Sequence, residues 1–438
     1  MRWIKTLAAL AVAHSTALAV AFTPAFAVAQ TKIDFFFPVP VDGKLAREMT
    51  RLVKVYNDSQ KEVQVTAAYT GSYDDTKLKA QAAANAGKPP AVVLMGANFV
   101  LDLKLAGDII PLEPMLKAEE TTREKFLEDF WPAVHANSLV DGELYAIPFQ
   151  NSTPLLYYNK DHFKEAGLDP EKPPRTWAEL VDAARKLTKV DRMGFGMPEG
   201  YDYCGWLMEA LSMSNGGRYF NEEYGGEVYY DSPSMLGAVQ FVEDLVFKHK
   251  VMQQGVVEGP AVSTNFLAGK VSMMLLSTGS LSFIRENMKQ PFGVAFVPKN
   301  VRNAVPIGGG SLVMFKGLSD EQKAAGWKFA KWLSSTETLG GWSRFTGYFS
   351  PRKSPYDTAE MKDFMAKNPE AKVALDQLPY AKPWFATYQT VAVRKALESE
   401  VHAVLNGKKK APQAVKDAQK NADALMKPYV DQTALKLP

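Results

Sequence analysis

An α/β fold with a parallel sheet and helices on both faces is the class the sequence predicts, and three observations carry it. Strand-like and helix-like segments alternate between residues 33 and 95. Helix starts carry reciprocal capping pairs, Thr176 with Glu179 and Ser319 with Gln322. Glycine and proline mark the changes of period, as at Gly87 and Pro89-Pro90.

Taken in order, residues 33–37 (IDFFF) form a buried strand. Leu45, Met49, Leu52, Val53 and Tyr56 then recur at helical spacing, which predicts an amphipathic helix over 43–58. Val63 and Val65 open a second strand that ends at Tyr69-Thr70-Gly71. An alanine-rich helix covers about 76–86, and 91–95 is a third strand. This β-α-β-α-β order implies parallel strands joined by helical crossovers.

The pattern restarts with a strand over 155–158 and a short helix over 163–166 that Gly167 ends. The Thr176-capped helix, a strand in "RMGFGMP" and a long helix over 235–249 come next. "GKVSMMLLSTGSLSFIREN" reads strand, turn, helix, and "GVAFVPK" is a further strand. Gly308, Gly309 and Gly310 precede an apolar strand, a helix starts at Ser319, and the last ~70 residues are mostly helical. Ligands of open α/β sheets bind beyond the carboxyl ends of the strands. "PFQNSTP" lies in such a place, so Gln150, Asn151, Ser152 and Thr153 either make a turn or face a ligand.

Bulk composition narrows the function classes. Of 438 residues, 46% are apolar and 23% charged, a globular balance long enough for two or three domains. The net charge is +3, and the first 29 residues hold Arg2 and Lys5 with no acid, so the rest is close to neutral. That pattern gives no support for a nucleic-acid partner. Residues 1–29 read as an export signal: a basic start, a mostly apolar stretch over 8–26, and small residues at Ala25, Ala27 and Ala29, with cleavage expected before Gln30. The expected location is the periplasm. Cys204, the single cysteine, cannot form an internal disulfide and reads as a packed structural thiol.

Catalytic and metal motifs are missing. His135, His162, His249 and His402 are isolated, and neither an H-x-x-x-H nor a G-x-S-x-G pattern occurs. The reading is therefore of a binding protein, with no enzyme activity and no cofactor. Ser277, Thr278, Gly279 and Ser280 stand at a helix N-terminus, where free N–H groups favour an anion; simple capping by Ser280 explains them equally well. "IGGGS" lets main chain approach a ligand or makes a tight turn. Phe37, Tyr73, Phe149, Tyr201, Tyr203, Trp206, Tyr348 and Trp384 are aromatic candidates for a crevice, and each also suits a core.

"PFQNSTPLLYYNKDHFKEAGLDPEKPPRTWAELVDAARKL" resembles the matching segment of the extracellular solute-binding proteins of ABC importers. "GKVSMMLLSTGSLSFIRE", "IGGGSL", "TGYFS" and "LNGKKKAPQAV" fit the same family, in its glycerol-phosphate-binding branch. The resemblance implies a periplasmic-binding-protein fold of class II, maltose-binding-protein-like, with two α/β lobes joined by crossover hinge segments. It places one lobe at 30–148 plus 308–347 and the other at 149–307 plus 348–438, with crossovers near 148–154, 305–310 and 348–351. It also implies a ligand set: Tyr73, Ser152, Ser277, Gly309 and Tyr348, with Arg394 as the bidentate phosphate ligand. Without the resemblance, Arg394 reads as a solvated helix-face arginine.

The implied partners are a small phosphorylated ligand and an inner-membrane permease and ATPase, with the receptor a monomer. Two departures bear on the ligand. The branch carries a carboxylate after the third strand, where this chain has "MGANF" and Asn98 is the nearest polar residue. It carries a Trp-His pair after the first strand, where this chain has Phe37-Pro38. The expected ligand is therefore an organophosphate: sn-glycerol 3-phosphate, or a glycerophosphodiester or phosphorylated amino-alcohol with a more apolar far end. A quaternary ammonium could use aromatic faces, and Asp42 could serve a cation, although an exposed loop aspartate is its plainer reading. A neutral-sugar receptor on the same fold is the alternative, and a secreted hydrolase a further one.

Overall fold

The computed structural model describes residues 30–39 and 44–434. The export signal and Asp42 lie outside the described residues. Strands are numbered here as β1 Thr31–Phe37, β2 Val63–Tyr69, β3 Val92–Gly96, β4 Ala146–Ser152, β5 Pro154–Asn159, β6 Met193–Gly196, β7 Val271–Ser277, β8 Phe292–Ala295 and β9 Gly308–Met314. The helices that matter below are α1 Leu45–Ser59, α2 Tyr73–Asn85, α3 Trp177–Leu187, α4 Tyr203–Ser214, α5 Pro233–Phe247, α6 Leu281–Asn287, α7 Asp320–Leu333, α8 Thr336–Thr346, α9 Thr390–Leu405 and α10 Ala411–Ala434.

Two mixed sheets form the centres of two α/β lobes. The first is five-stranded, in the order β2-β1-β3-β9-β4, and the second four-stranded, in the order β8-β5-β7-β6. β1 runs parallel to β2 and β3, as the β-α-β-α-β order predicts, and β9 runs antiparallel between β3 and β4. Every residue of β3, β4, β5, β7 and β9 is buried, which accounts for the apolar runs of β3, β5 and β7. On the outer side of the first sheet, Phe35 meets Phe329 of α7 edge to face at 5.2 Å, and Tyr56 of α1 packs on the same ring.

The two capping boxes predicted at Thr176 and Ser319 are present, at α3 and α7. A third, unforeseen box moves a helix boundary. Ser72 and Asp75 cap each other, so α2 begins at Tyr73 rather than near 76, and Tyr73 and Asp74 occupy its first turn.

The glycine triplet also differs from expectation. Gly308, Gly309 and Gly310 lie inside β9, not before it, because β3 and β4 on either side supply the backbone partners that glycine's weak strand preference does not.

The chain passes from the first sheet to the second at Thr153, the one residue between β4 and β5. Thr153 is held there from the second lobe: its N–H donates to Thr278 Oγ1 (3.3 Å), and its hydroxyl oxygen accepts from Gln377 Nε2 (3.2 Å). A second passage leads through Val305-Pro306, paired with Ala381-Lys382, into β9. No described helix is long and apolar enough to cross a membrane.

Candidate ligand-binding site

The carboxyl ends of β4 and β7 and the start of β9 converge between the lobes on a cavity. Tyr73, Ser152, Asp202, Tyr203, Trp206, Ser277, Gly309, Tyr348 and Trp384 line it. The structure thus brings together five of the six site residues predicted from sequence.

Each is placed by identifiable contacts. Tyr73 sits at the start of α2, and Gln150 Nε2 donates to its hydroxyl at 2.8 Å. Ser152 ends β4 with its hydroxyl unpartnered among the described residues. Ser277 ends β7; its Oγ accepts from Gly279 N–H at 3.0 Å, so its own O–H is left to donate. Gly309 has a φ of +90°, and a Cβ there would come within 1.8 Å of the Gln150 carbonyl oxygen, so only glycine fits. Tyr348 follows α8 and lies flat over Gly279, where a Cβ would meet its ring at 2.5 Å.

These contacts settle the polar knot at 150–153. Gln150 aims Tyr73, Asn151 Nδ2 donates to the Gly308 carbonyl (3.4 Å), Ser152 faces the cavity and Thr153 makes the crossing. It is strand and hinge rather than a turn.

The walls are aromatic. Trp206 donates its indole N–H to the Ile307 carbonyl at 3.3 Å, and Trp384 is clamped by Asn137, which accepts from its N–H (2.7 Å) and donates to its carbonyl (2.8 Å). Burial pushes the phenols of Tyr73 and Tyr348 far above their ordinary range, so both stay neutral hydrogen-bonding groups. Of the other aromatic candidates, Phe37 and Phe149 pack in cores, against Phe35 and Trp342, and Tyr201 is exposed beside His402.

Arg394 corrects the expectation. It does not line the cavity, and its guanidinium is not left open for a phosphate. The side chain is 1% exposed and surrounded by carboxylates. Nη2 donates to both oxygens of Asp74 (3.1 and 2.9 Å), Nη1 to Asp202 (2.8 Å) and Nε to Glu398 (3.3 Å). Burial opposes its charge, but Asp202, Glu398 and Asp74 outweigh that and raise its pKa. The solvated-arginine reading fails as well. Lys395 adds a second cation, with Nζ 3.5 Å from Asp74.

Sequence reasoning missed Asp202, the one carboxylate among the lining residues. It caps α4 with a φ of +79°, a strained conformation for a non-glycine residue. Glu398 holds it there by accepting from the N–H groups of Asp202 (2.8 Å) and Gly205 (2.9 Å). Burial pushes the Asp202 carboxyl upward, against the pull of Arg394. Asn98, the residue expected to replace the family's carboxylate, is fully buried away from the cavity; both its amide atoms lack a partner, and its main-chain carbonyl accepts from Thr390. Cys204 is fully buried and its thiol is pushed up by burial, as expected of a structural cysteine. Among the described residues no cluster of three His, Cys, Asp or Glu could hold a metal ion.

Residues 51–374 match the family model of the bacterial extracellular solute-binding proteins. The chain belongs to that family. It is 29% identical over 427 residues to the sn-glycerol-3-phosphate-binding periplasmic protein UgpB of Pectobacterium atrosepticum, covering 92% of this chain and 94% of that one. The Escherichia coli protein of the same name is also 29% identical, over 425 residues.

Solved structures agree on the fold. UgpB from Mycobacterium tuberculosis, in complex with glycerophosphocholine, superposes with a TM-score of 0.81 at 24% identity, over 92% of this chain and 100% of that one. Maltose-bound MalE3 of T. maritima gives 0.79 at 25%, over 90% and 100%. The chain is thus a solute-binding protein of the ABC-importer type with a two-lobed, MalE-like fold, and its relatives are binding proteins rather than enzymes. The same relatives mark it as an exported protein.

Proposed function

We propose that this receptor captures a small glycerophosphodiester whose far end carries an ammonium group, and delivers it to an inner-membrane permease and ATPase. The observation that supports this most is the composition of the cavity: neutral hydroxyl and main-chain groups share it with aromatic walls and one carboxylate, Asp202. Ser152, Ser277, Tyr73 and Tyr348 suit a singly charged phosphodiester, which neutral donors can hold. Asp202 with Tyr203, Trp206 and Trp384 suits the cationic end. A doubly charged phosphomonoester fits less well, because no arginine or lysine lines the cavity. Relatives named for sn-glycerol 3-phosphate and a structural neighbour bound to glycerophosphocholine support the organophosphate class.

In this reading the mature chain starts at Gln30 in the periplasm and works as a monomer. The two lobes, joined at Thr153 and at the passage through Val305-Pro306, close over the ligand.

Two observations favour a second reading, a neutral-sugar receptor: Arg394 is engaged by carboxylates, and the cavity walls are aromatic. A thermal-shift panel separates the two. Glycerophosphocholine and glycerophosphoethanolamine are expected to raise the melting temperature most, and sn-glycerol 3-phosphate less. If sugars alone raise it, the organophosphate reading falls.

A further inference from the structure

Asp74 differs from the other acids around Arg394 in where it comes from. Asp202 and Glu398 belong to α4 and α9, the same lobe as Arg394 itself, whereas Asp74 stands in the first turn of α2, between β2 and β3 of the other lobe. It takes Nη2 of Arg394 with both oxygens, at 3.1 and 2.9 Å, and Lys395 approaches it to 3.5 Å. It is the residue next to Tyr73, which lines the cavity.

The bridge does not stand alone. Residues 384–395 are gripped from the first lobe at three other points: Asn137 on the main chain of Trp384, Asp102 accepting from Gln389 N–H (3.1 Å), and the Asn98 carbonyl accepting from Thr390. Asp74 is the one of these that engages the guanidinium.

We infer that Asp74 is a specificity-determining residue that acts as a surrogate anion: its carboxylate fills the Arg394 face that a doubly charged phosphate would otherwise take, and it bridges the lobes in doing so. A phosphomonoester must displace Asp74 to reach the guanidinium, whereas a phosphodiester seated on the hydroxyl groups need not. The inference rests on the reading of the cavity as an organophosphate site, and it goes beyond that reading in assigning the discrimination between monoester and diester to one side chain.

The test is titration calorimetry of the native protein and Asp74→Asn with sn-glycerol 3-phosphate. The substitution keeps shape and removes charge, and Asp74 is partly exposed, so the fold should tolerate it; Asp74→Ser serves if the first variant melts early. The expected result is at least tenfold tighter binding of sn-glycerol 3-phosphate to the variant, with the preference for glycerophosphocholine reduced or reversed. Equal affinity of native and variant for sn-glycerol 3-phosphate, or binding to neither, overturns the inference about Asp74. Failure of the organophosphate reading looks different: the native protein then binds a sugar and no phosphorylated compound.

Discussion

The floor of the cleft and the charged cluster beside it are built on opposite terms. The floor is neutral: Ser152, Ser277 and Gly309 sit at strand ends, and Ser152 Oγ has no partner among the described residues. The cluster is charged and already satisfied, with Arg394 directing its N–H groups to Asp74, Asp202 and Glu398. The two meet at one cavity, which Ser152 and Asp202 both line, yet do different work. Groups open to a ligand are those whose hydrogen bonds the fold leaves incomplete, and the strongest cation nearby is not among them.

The largest effect should come from breaking the cluster. Arg394→Met leaves Asp202 and Glu398 without their cation in a buried site, which typically costs about 3–5 kcal/mol. Urea unfolding should show that loss, and an unchanged midpoint would mean that the cluster is not cohesive.

A buried carboxylate with no ion pair makes the control. Glu199 is 1% exposed and accepts from Val257 N–H at 2.9 Å; burial pushes its carboxyl up to about 8. The folded state therefore binds that proton more tightly than the unfolded chain does. Its contribution to stability falls as pH rises from the ordinary carboxyl range through about 8. Glu199→Gln should remove that slope, on the order of 1–3 kcal/mol between pH 5 and 8. Parallel stability–pH curves for native and variant would contradict it.

The smallest effect concerns the floor. Ser152→Ala should leave the melting temperature within about a degree and weaken ligand binding by roughly two- to tenfold, the worth of one net hydrogen bond. Loss of stability without loss of affinity would show that Ser152 serves the fold instead.

The frame of the first lobe was legible in sequence because each element left its own trace: the half-buried strand β1, the amphipathic helix α1 and the continuous apolar run of the fully buried strand β3. Glycines 308–310 were not legible as strand, because their place in β9 depends on neighbours far along the chain. Local patterns flagged Ser152, Ser277, Gly309, Tyr73 and Tyr348 only as candidates, each with a plainer reading beside it, and the family resemblance chose among them. The pairing of Arg394 was hidden for a plain reason: Asp74 lies 320 residues away and Asp202 lies 192 away. Asp202 was hidden further by its left-handed backbone, which "GYDYCGW" does not announce.

Titration calorimetry of the native receptor with glycerophosphocholine, beside maltose, addresses the central claim most directly. The account predicts saturable binding of the phosphodiester, weakened two- to tenfold by Ser152→Ala, and none of maltose. Saturable binding of maltose with no response to the phosphodiester would contradict it.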